Sequence, residues 1–377
     1  MKSVPTKKNT LFGAALVAAA LALPSYSPAF AEAMPTRGSA SFKYLNYMDR
    51  QVGEERMNIN AYTSSVMMPF AESWTVNATF TYDFLTGASP TRHNVLSSAS
   101  ANLIHEKRNE YDLSFTNYVE DGTWSFGSTY SIESDYIARN LSLQRSISTA
   151  DKNMTITFGG NYSYDSINSY KNNVFDHKQV IGGLIGITQI LTKEDIVQFN
   201  VGFSNGKGYY SDPYKYADDR PRKRNITTYM ARWNHHFRET DGTSHLSYRY
   251  YTDSYDIKSH TLAAEYVQPM EDNWTITPSF RYYAQSNAFF YVPTTLGAAA
   301  YTPPNPAAPY SVDERLSAFG AFTFGIKVEK KVADDTTIDL KLEQYSQDGK
   351  WTMVGTADPG LDSFSFRSIQ LGLTQLL

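Results

Sequence analysis

The stretch Trp74–Phe84, WTVNATFTYDF, divides cleanly in two. Trp74, Val76, Ala78, Phe80, Tyr82 and Phe84 fall on one side; Thr75, Asn77, Thr79, Thr81 and Asp83 fall on the other. Successive side chains of a strand point to opposite faces, so a period of two marks a strand with one apolar and one polar wall. The same alternation returns in NMTITFGGNYSYD (153–165), DIVQFNVGFSN (195–205) and WTITPSFRYYAQ (274–285). Short acidic turns sit between the strands: FAESW (70–74), EDGTW (120–124), TADKN (149–153), TKEDI (192–196), RETDGT (238–243), MEDNW (270–274) and VADDT (332–336). They recur at intervals of about 44 residues, one hairpin each. Longer polar or Gly/Pro-rich segments alternate with them, at 86–107, 166–176, 206–223, 287–312 and 348–363.

Sixteen segments qualify as strands, the first at 40–48, the last at 364–377, with 178–191 and 314–331 among them. Most run about ten to fourteen residues, enough to cross a bilayer at a tilt, where sandwich strands average about five or six. Trp74, Trp124 and Trp274 stand at strand ends beside acidic turns, as an interfacial aromatic girdle requires. The expected fold is therefore all-β: a transmembrane antiparallel up-and-down β-barrel of about 16 strands. An even count puts every acidic turn and both termini on one side, read as periplasmic, with the long loops outside.

The N-terminus fits this reading. Lys2, Lys7 and Lys8 precede an apolar run, Leu11–Leu23, and a small-residue cleavage site, Ala29-Phe30-Ala31. Residues 1–31 are expected to be a Gram-negative secretory signal peptide, with 32–377 forming a single outer-membrane barrel. The run is too short to be a membrane helix. Mean hydropathy is −0.43, yet 28 Tyr, 21 Phe and 5 Trp supply an apolar surface that alternation hides from a sliding window. The absence of Cys gives no disulfide framework and no thiolate metal site. The charge is 34 basic against 38 acidic residues, −4; without the three lysines of the leader it is 31 against 38, −7. That acidity argues against a nucleic-acid partner. The partners expected are outer-membrane lipid and lipopolysaccharide, the barrel-assembly machinery and an unspecified periplasmic protein.

Two segments strain the pattern. LSLQRSIS (141–148) places Arg145, and Arg139 just before it, on the face of Leu141 and Leu143, which calls for snorkelling or a bulge. VIGGLIGITQIL (180–191) is apolar on both faces and leaves its orientation open.

Several stretches together resemble the exported bacterial family catalogued as domain of unknown function 3570. They are YDFLTGASPTR (82–92), GGLIGITQILTKEDIVQFN (182–200), GKGYYSDPYK (206–215), RPRKRN (220–225), ARWNHHF (231–237), SYRYYTDSYDIKSHTLAAEYVQP (247–269), WTITPSFRYYAQSNAFFY (274–291) and RLSAFGAFTFGIKVEK (315–330). The resemblance implies an outer-membrane barrel and names no substrate. One departure is the last residue: barrel assembly signals usually end in an aromatic, and this chain ends in Leu377, with Ile369, Leu371 and Leu373 on the matching face.

Chemistry must then be read from the wall each side chain faces. Alternation points Asp83, Asp112, Glu133, Arg232, Arg249, Glu265, Arg281, Lys327, Asp339, Lys341 and Glu343 inward. A barrel of this size is wide enough for an aqueous channel, and mixed charge can set up a field across it or pair into a plug. In ARWNHHF, Trp233, His235 and Phe237 share the lipid face, while Arg232, Asn234 and His236 face the lumen, so the two histidines cannot chelate one ion. Arg220, Arg222, Lys223 and Arg224 make an external basic loop able to pair with Asp218 and Asp219, bind lipopolysaccharide phosphates or line a pore mouth. Gly206-Lys207-Gly208 lacks the spacing of a phosphate loop. The histidines (93, 105, 177, 235, 236, 245, 260) show no metal-ligand spacing, and neither a metal nor a cofactor is expected. Asp83 with His93, or Asp253 and Asp256 with His260, are the only residues that suggest a wall-borne hydrolase, and the chain is read as no enzyme. The function expected is a channel or transport component for small polar solutes, with a structural or docking barrel as the alternative.

Overall fold

A computed structural model describes residues 33–51, 53–87, 104–170, 172–215, 218–293, 305, 307–358 and 360–377. The first strands are β1 (Ser39–Gln51), β2 (Glu54–Phe70), β3 (Trp74–Gly87), β4 (Ile104–Val119), β5 (Gly122–Ile132) and β6 (Tyr136–Ser148). They are followed by β7 (Met154–Ser169), β8 (Val174–Ile190), β9 (Asp195–Gly208), β10 (Asp218–Asp219), β11 (Lys223–Phe237) and β12 (Gly242–Asp253). The last are β13 (Lys258–Pro269), β14 (Trp274–Gln285), β15 (Tyr310–Ser311), β16 (Phe319–Ala333), β17 (Thr336–Asp348) and β18 (Phe364–Leu376). Sixteen of these close into one antiparallel barrel; β10 and β15 form a separate two-stranded ribbon in the loops. The barrel shuts where β1 pairs β18, from Ser39–Leu376 to Gln51–Phe364.

The wall has the two faces that the alternation predicts. Phe80, Leu113, Phe126, Leu143, Phe199, Phe324, Leu340 and Leu371 are exposed on the outside. Trp74, Trp124, Trp233 and Trp274 stand on the outer face beside the tight turns, and Trp233 Nε1 donates to the Asp195 carboxylate (2.8 Å). Ile181, Ile185 and Ile187 are exposed while Val180 and Leu184 are not, which orients the 180–191 segment with its odd positions outward. Gly183 belongs to that outer face, and a Cβ there would collide with the Phe203 ring lying over it.

The two outward arginines are accommodated without a bulge: the β5–β6 and β6–β7 registers run unbroken. Arg139 lies between Tyr130 and Tyr164, 5.9 and 6.0 Å from their ring centres. Arg145 lies 5.3 Å from the Trp124 ring and pairs with Asp121 at 2.5 Å. Six residues separate them, about 20 Å along a strand, so each sits at one edge of the apolar band and reaches polar partners there.

The loop end differs from expectation. Segment 166–176 is not a long loop: β7 and β8 continue to Ser169 and Val174 and keep pairing. The connections 51–54, 132–136 and 253–258 are short as well. Strand ladders outrun the apolar band because both faces meet water there, and polar residues extend the sheet without an apolar face. Conversely, 314–318 joins a loop as a short 3-10 turn rather than opening β16. The expected signal peptide, 1–31, lies outside the described residues.

The two walls respond differently to charge. Phe199→Arg on the outer face should destabilise the barrel in lipid vesicles by about 2–4 kcal/mol, and Asn200→Arg, its lumen-facing neighbour, by much less. Denaturant titration followed by the gel mobility of folded barrel tests this; equal losses would refute the face assignment.

Candidate functional site

The inner wall is divided by charge. On β3, β4 and the 133–135 connection lie six carboxylates, Asp83, Glu106, Glu110, Asp112, Glu133 and Asp135, and one inward base, Arg108, which pairs with Asp83 and Glu110. Asp83 is fully buried and accepts from Arg108 Nε at 2.6 Å; Arg108 Nη1 donates to Glu110 at 2.9 Å. Thr129 donates to Asp112 (2.7 Å), and Ser134 donates to Glu106 through both its hydroxyl and its backbone N–H. On the other side, β11, β12 and β14 carry Arg224, Arg232, Arg249 and Arg281 inward, against the inward acids Asp253 and Glu265. Within the ring β4 stands fourth and β13 twelfth, half of sixteen strands apart. The acidic wall centred on β4 therefore looks across the lumen at the arginines that flank β13.

A cavity of about 540 Å³ lies against the β4–β11 wall, lined by small groups such as Ser114, Gly127, Ser142, Gly182 and Thr228. Near the tight turns, Lys327 pairs with Glu329 (3.0 Å) and Lys341 with Glu343 (2.9 Å). His245 shares the Asn234 side-chain oxygen with Arg232 Nε, at 2.7 and 3.1 Å. His236 contacts Thr243 on the inner face, while His235 joins Trp233 on Asp195 outside. Asp83, Asp112, Arg232, His236, Arg249, Glu265, Arg281 and Lys327 all project inward, at three heights rather than in one cluster.

The external basic loop does not form one patch. Arg220 is buried against Asp218 (2.9 Å) and Asp313 (2.5 Å). Arg222 holds Asp176 with both nitrogens, at 2.8 and 2.9 Å, and Arg224 holds Asp253 at 2.6 Å. Lys223 alone stays on the outer, exposed side of β11's first turn of pairing. The three arginines are thus paired with carboxylates, one from their own loop, Asp218, and the others from Asp176, Asp253 and Asp313. Asp253 lies inside, and His260 lies outside beneath the Tyr248 hydroxyl (2.6 Å), so that pair does not meet. His93 lies outside the described residues. Among the described residues no three His, Cys, Asp or Glu side chains converge as metal ligands would.

Alternation read back from Tyr111, Leu113 and Phe115 would have placed Glu106, Arg108 and Glu110 inward with Asp112. A second group carried no such signal: residues 209–215 and 218–222 with 286–293 and 307–318 build a cap. The β10–β15 ribbon joins them. At its centre Asp313, fully buried, accepts from Arg220 Nη2 (2.5 Å), Lys215 Nζ (3.1 Å) and Arg315 Nε (2.7 Å). Lys215 also reaches Glu314 (2.9 Å), and Arg315 reaches Asp212 (3.4 Å). Tyr255 packs edge-on to Phe290 and donates to the Pro221 carbonyl. Tyr214 donates to Asp135 in the β5–β6 connection, and Tyr291 donates to Asp358 in the β17–β18 connection (2.7 Å). Burial would raise the Asp313 carboxyl, but Arg315, Lys215 and Arg220 override it and hold it well below the carboxylate range. Asp212 goes the other way: burial raises it more than Arg315 and Lys215 lower it.

The chain belongs to the family described as "Protein of unknown function (DUF3570)", which matches residues 13–368. Its fold is a closed antiparallel β-barrel of sixteen strands, and the family is of unknown function. No curated protein matches the sequence. Among solved structures it is similar to the siderophore receptor PirA from Pseudomonas aeruginosa at 11% identity and a TM-score of 0.45, covering 84% of this chain and 57% of the receptor. The chain thus spans little more than half of that receptor's length. It is also similar to the CymD monoaromatic hydrocarbon channel (9% identity, TM-score 0.45, covering 91% of this chain and 89% of that one). A third is a loop-deletion mutant of OmpT, an outer membrane protein of Vibrio cholerae (7% identity, TM-score 0.42, covering 90% and 100%).

Breaking a buried ion cluster by removing one member costs about 3–5 kcal/mol. Asp313→Asn should therefore release segment 209–222 to added protease, whereas Arg222→Gln, at an exposed pair, should not. The depressed Asp313 carboxyl contributes stability above its unfolded pKa, near ~3.9, and loses it only as pH falls through the lower folded value. Protection of the cap should accordingly persist at about pH 5. Cleavage at that pH in the unsubstituted chain would show that Asp313 does not hold the cap.

Proposed function

We propose that the chain is a channel or transport component for small polar solutes. The observation that carries this reading is the pair of opposed walls, six carboxylates and one arginine against four arginines and two carboxylates, half a ring apart. Charge of opposite sign on opposed walls puts a field across the lumen, which orients dipolar solutes and strips nonpolar ones of any advantage. The small side chains below leave the room a solute needs, and the cap narrows the approach from the loop end. In the same reading residues 1–31 are a signal peptide, the barrel-assembly machinery inserts the chain, and lipid and lipopolysaccharide surround the band. The tight turns and both termini face the periplasm, where an unspecified partner can dock. We read the chain as no enzyme.

The cap favours one alternative, a barrel that presents a fixed outer surface for docking, because its ion cluster and the Tyr214–Asp135 bond hold those loops in one arrangement. Conductance separates the two. The purified full chain in planar bilayers should conduct in potassium chloride, and Glu110→Gln with Asp112→Asn should move the reversal potential toward anion preference. A silent bilayer at every salt concentration rejects the channel and leaves docking.

A further inference from the structure

We infer that Arg249 and Arg281 form a binding site for a small oxyanion, a carboxylate or a phosphate, on the inner wall at β12–β14; the proposal deepens the channel reading and rests on it for its purpose. Register brings the residues together. Arg249 lies across from Thr261 of β13, and Thr261 lies across from Tyr283 of β14. Arg281 lies across from Ala263, one inward position farther along β13. The wall between the two arginines is therefore floored by the small side chains Thr261 and Ala263. Arg281 is near enough for its charge to act on Arg249.

The other inward or buried arginines show what is missing. Arg108 is held by Asp83 and Glu110, Arg220 by Asp218 and Asp313, and Arg224 by Asp253. Among the described residues, neither Arg249 nor Arg281 has an ion-pair partner. Two like charges side by side on a sheet repel. The Nε of Arg281 and the hydroxyl of Thr261 are moreover buried without a hydrogen-bond partner, and Thr261 is only 9% exposed. A buried donor left unpaired is unfavourable, and such groups in a native wall call for an explanation. An anion seated over Ala263 supplies the missing charge and accepts from both guanidinium groups and from Thr261 Oγ1.

The shape of the donors narrows the class. A guanidinium presents parallel N–H groups that match two oxygens of one carboxylate or phosphate. The Thr261 hydroxyl adds a third donor from the floor. Tyr283 is engaged elsewhere, donating to Gln285 at 2.6 Å, and so bounds the site rather than filling it. The acidic wall half a ring away repels an anion toward the arginines.

Calorimetric titration of the detergent-solubilised full chain tests the site, with inorganic phosphate in one arm and acetate in the other. Saturable binding of at least one anion is expected. Arg249→Gln and Arg281→Gln should each weaken it about tenfold or more. Arg249→Lys and Arg281→Lys, which keep the charge and lose the fork, should weaken it less, and Arg222→Gln should leave it unchanged. Folding of each variant is checked by the gel mobility of the intact barrel, and the lysine variants serve where a glutamine variant fails to fold. No saturable binding of either anion, or binding that survives the substitutions in folded barrels, overturns the site. Binding without conductance would remove the channel and keep the site; conductance without binding would do the reverse.

Discussion

Every backbone N–H and C=O that enters a hydrocarbon layer needs a partner within the protein, since lipid offers none. The β1–β18 pairing is where this chain meets that demand. Without it, two edges of a sheet would face lipid with their hydrogen bonds open. Thirteen residue pairs close the ring, and the Leu377 N–H reaches on to the Gly38 carbonyl. Closure fixes the even strand number, because an antiparallel ring whose ends pair must return to the side it left. It also fixes two faces, since every residue of a pleated strand then lies either inside or outside. The charged lumen, the outer girdle and the separation of His235 from His236 all follow.

That constraint explains which parts were legible in the sequence. Where lipid touches the wall, alternation is compulsory, so WTVNATFTYDF and its relatives could be read directly. The inward direction of Arg249 and Arg281 came from the same parity. Above the band the signal fades. Residues 166–176 look like a loop because both faces are polar, yet the ladder continues through them. The cap was illegible for a different reason. Asp313 meets Lys215 and Arg220 from 93–98 positions away, and neither composition nor spacing announces such a contact. RPRKRN looked like one basic patch because sequence shows neighbours along the chain and not the carboxylates that arrive from Asp176, Asp253 and Asp313.

The charges divide by environment. In the cap, cations and carboxylates are withdrawn from water together, an arrangement whose desolvation is large and whose attraction must be nearly complete to offset it. Its geometry meets that condition: Asp313 contacts three cations, and Arg220 spans two acids. Such a cluster adds definition more than net stability, and it holds loops that have no lipid to order them. On the outer wall Arg139 and Arg145 follow another rule. Each lies against aromatic faces at one edge of the apolar band, where its stem stays in lipid contact and its head reaches polar groups.

Arg249 and Arg281 follow neither rule. A wall selected for stability alone would pair Arg249 and Arg281 with acids, as it pairs Lys327 with Glu329 and Lys341 with Glu343 lower down. The chain has carboxylates to spare, with 38 acidic residues against 34 basic ones, and it masses six of them half a ring away instead. Within one lumen, opposite charges kept on opposite walls forgo the attraction they would gain as neighbours. What the separation retains is a field across the space between them, strongest where water is confined.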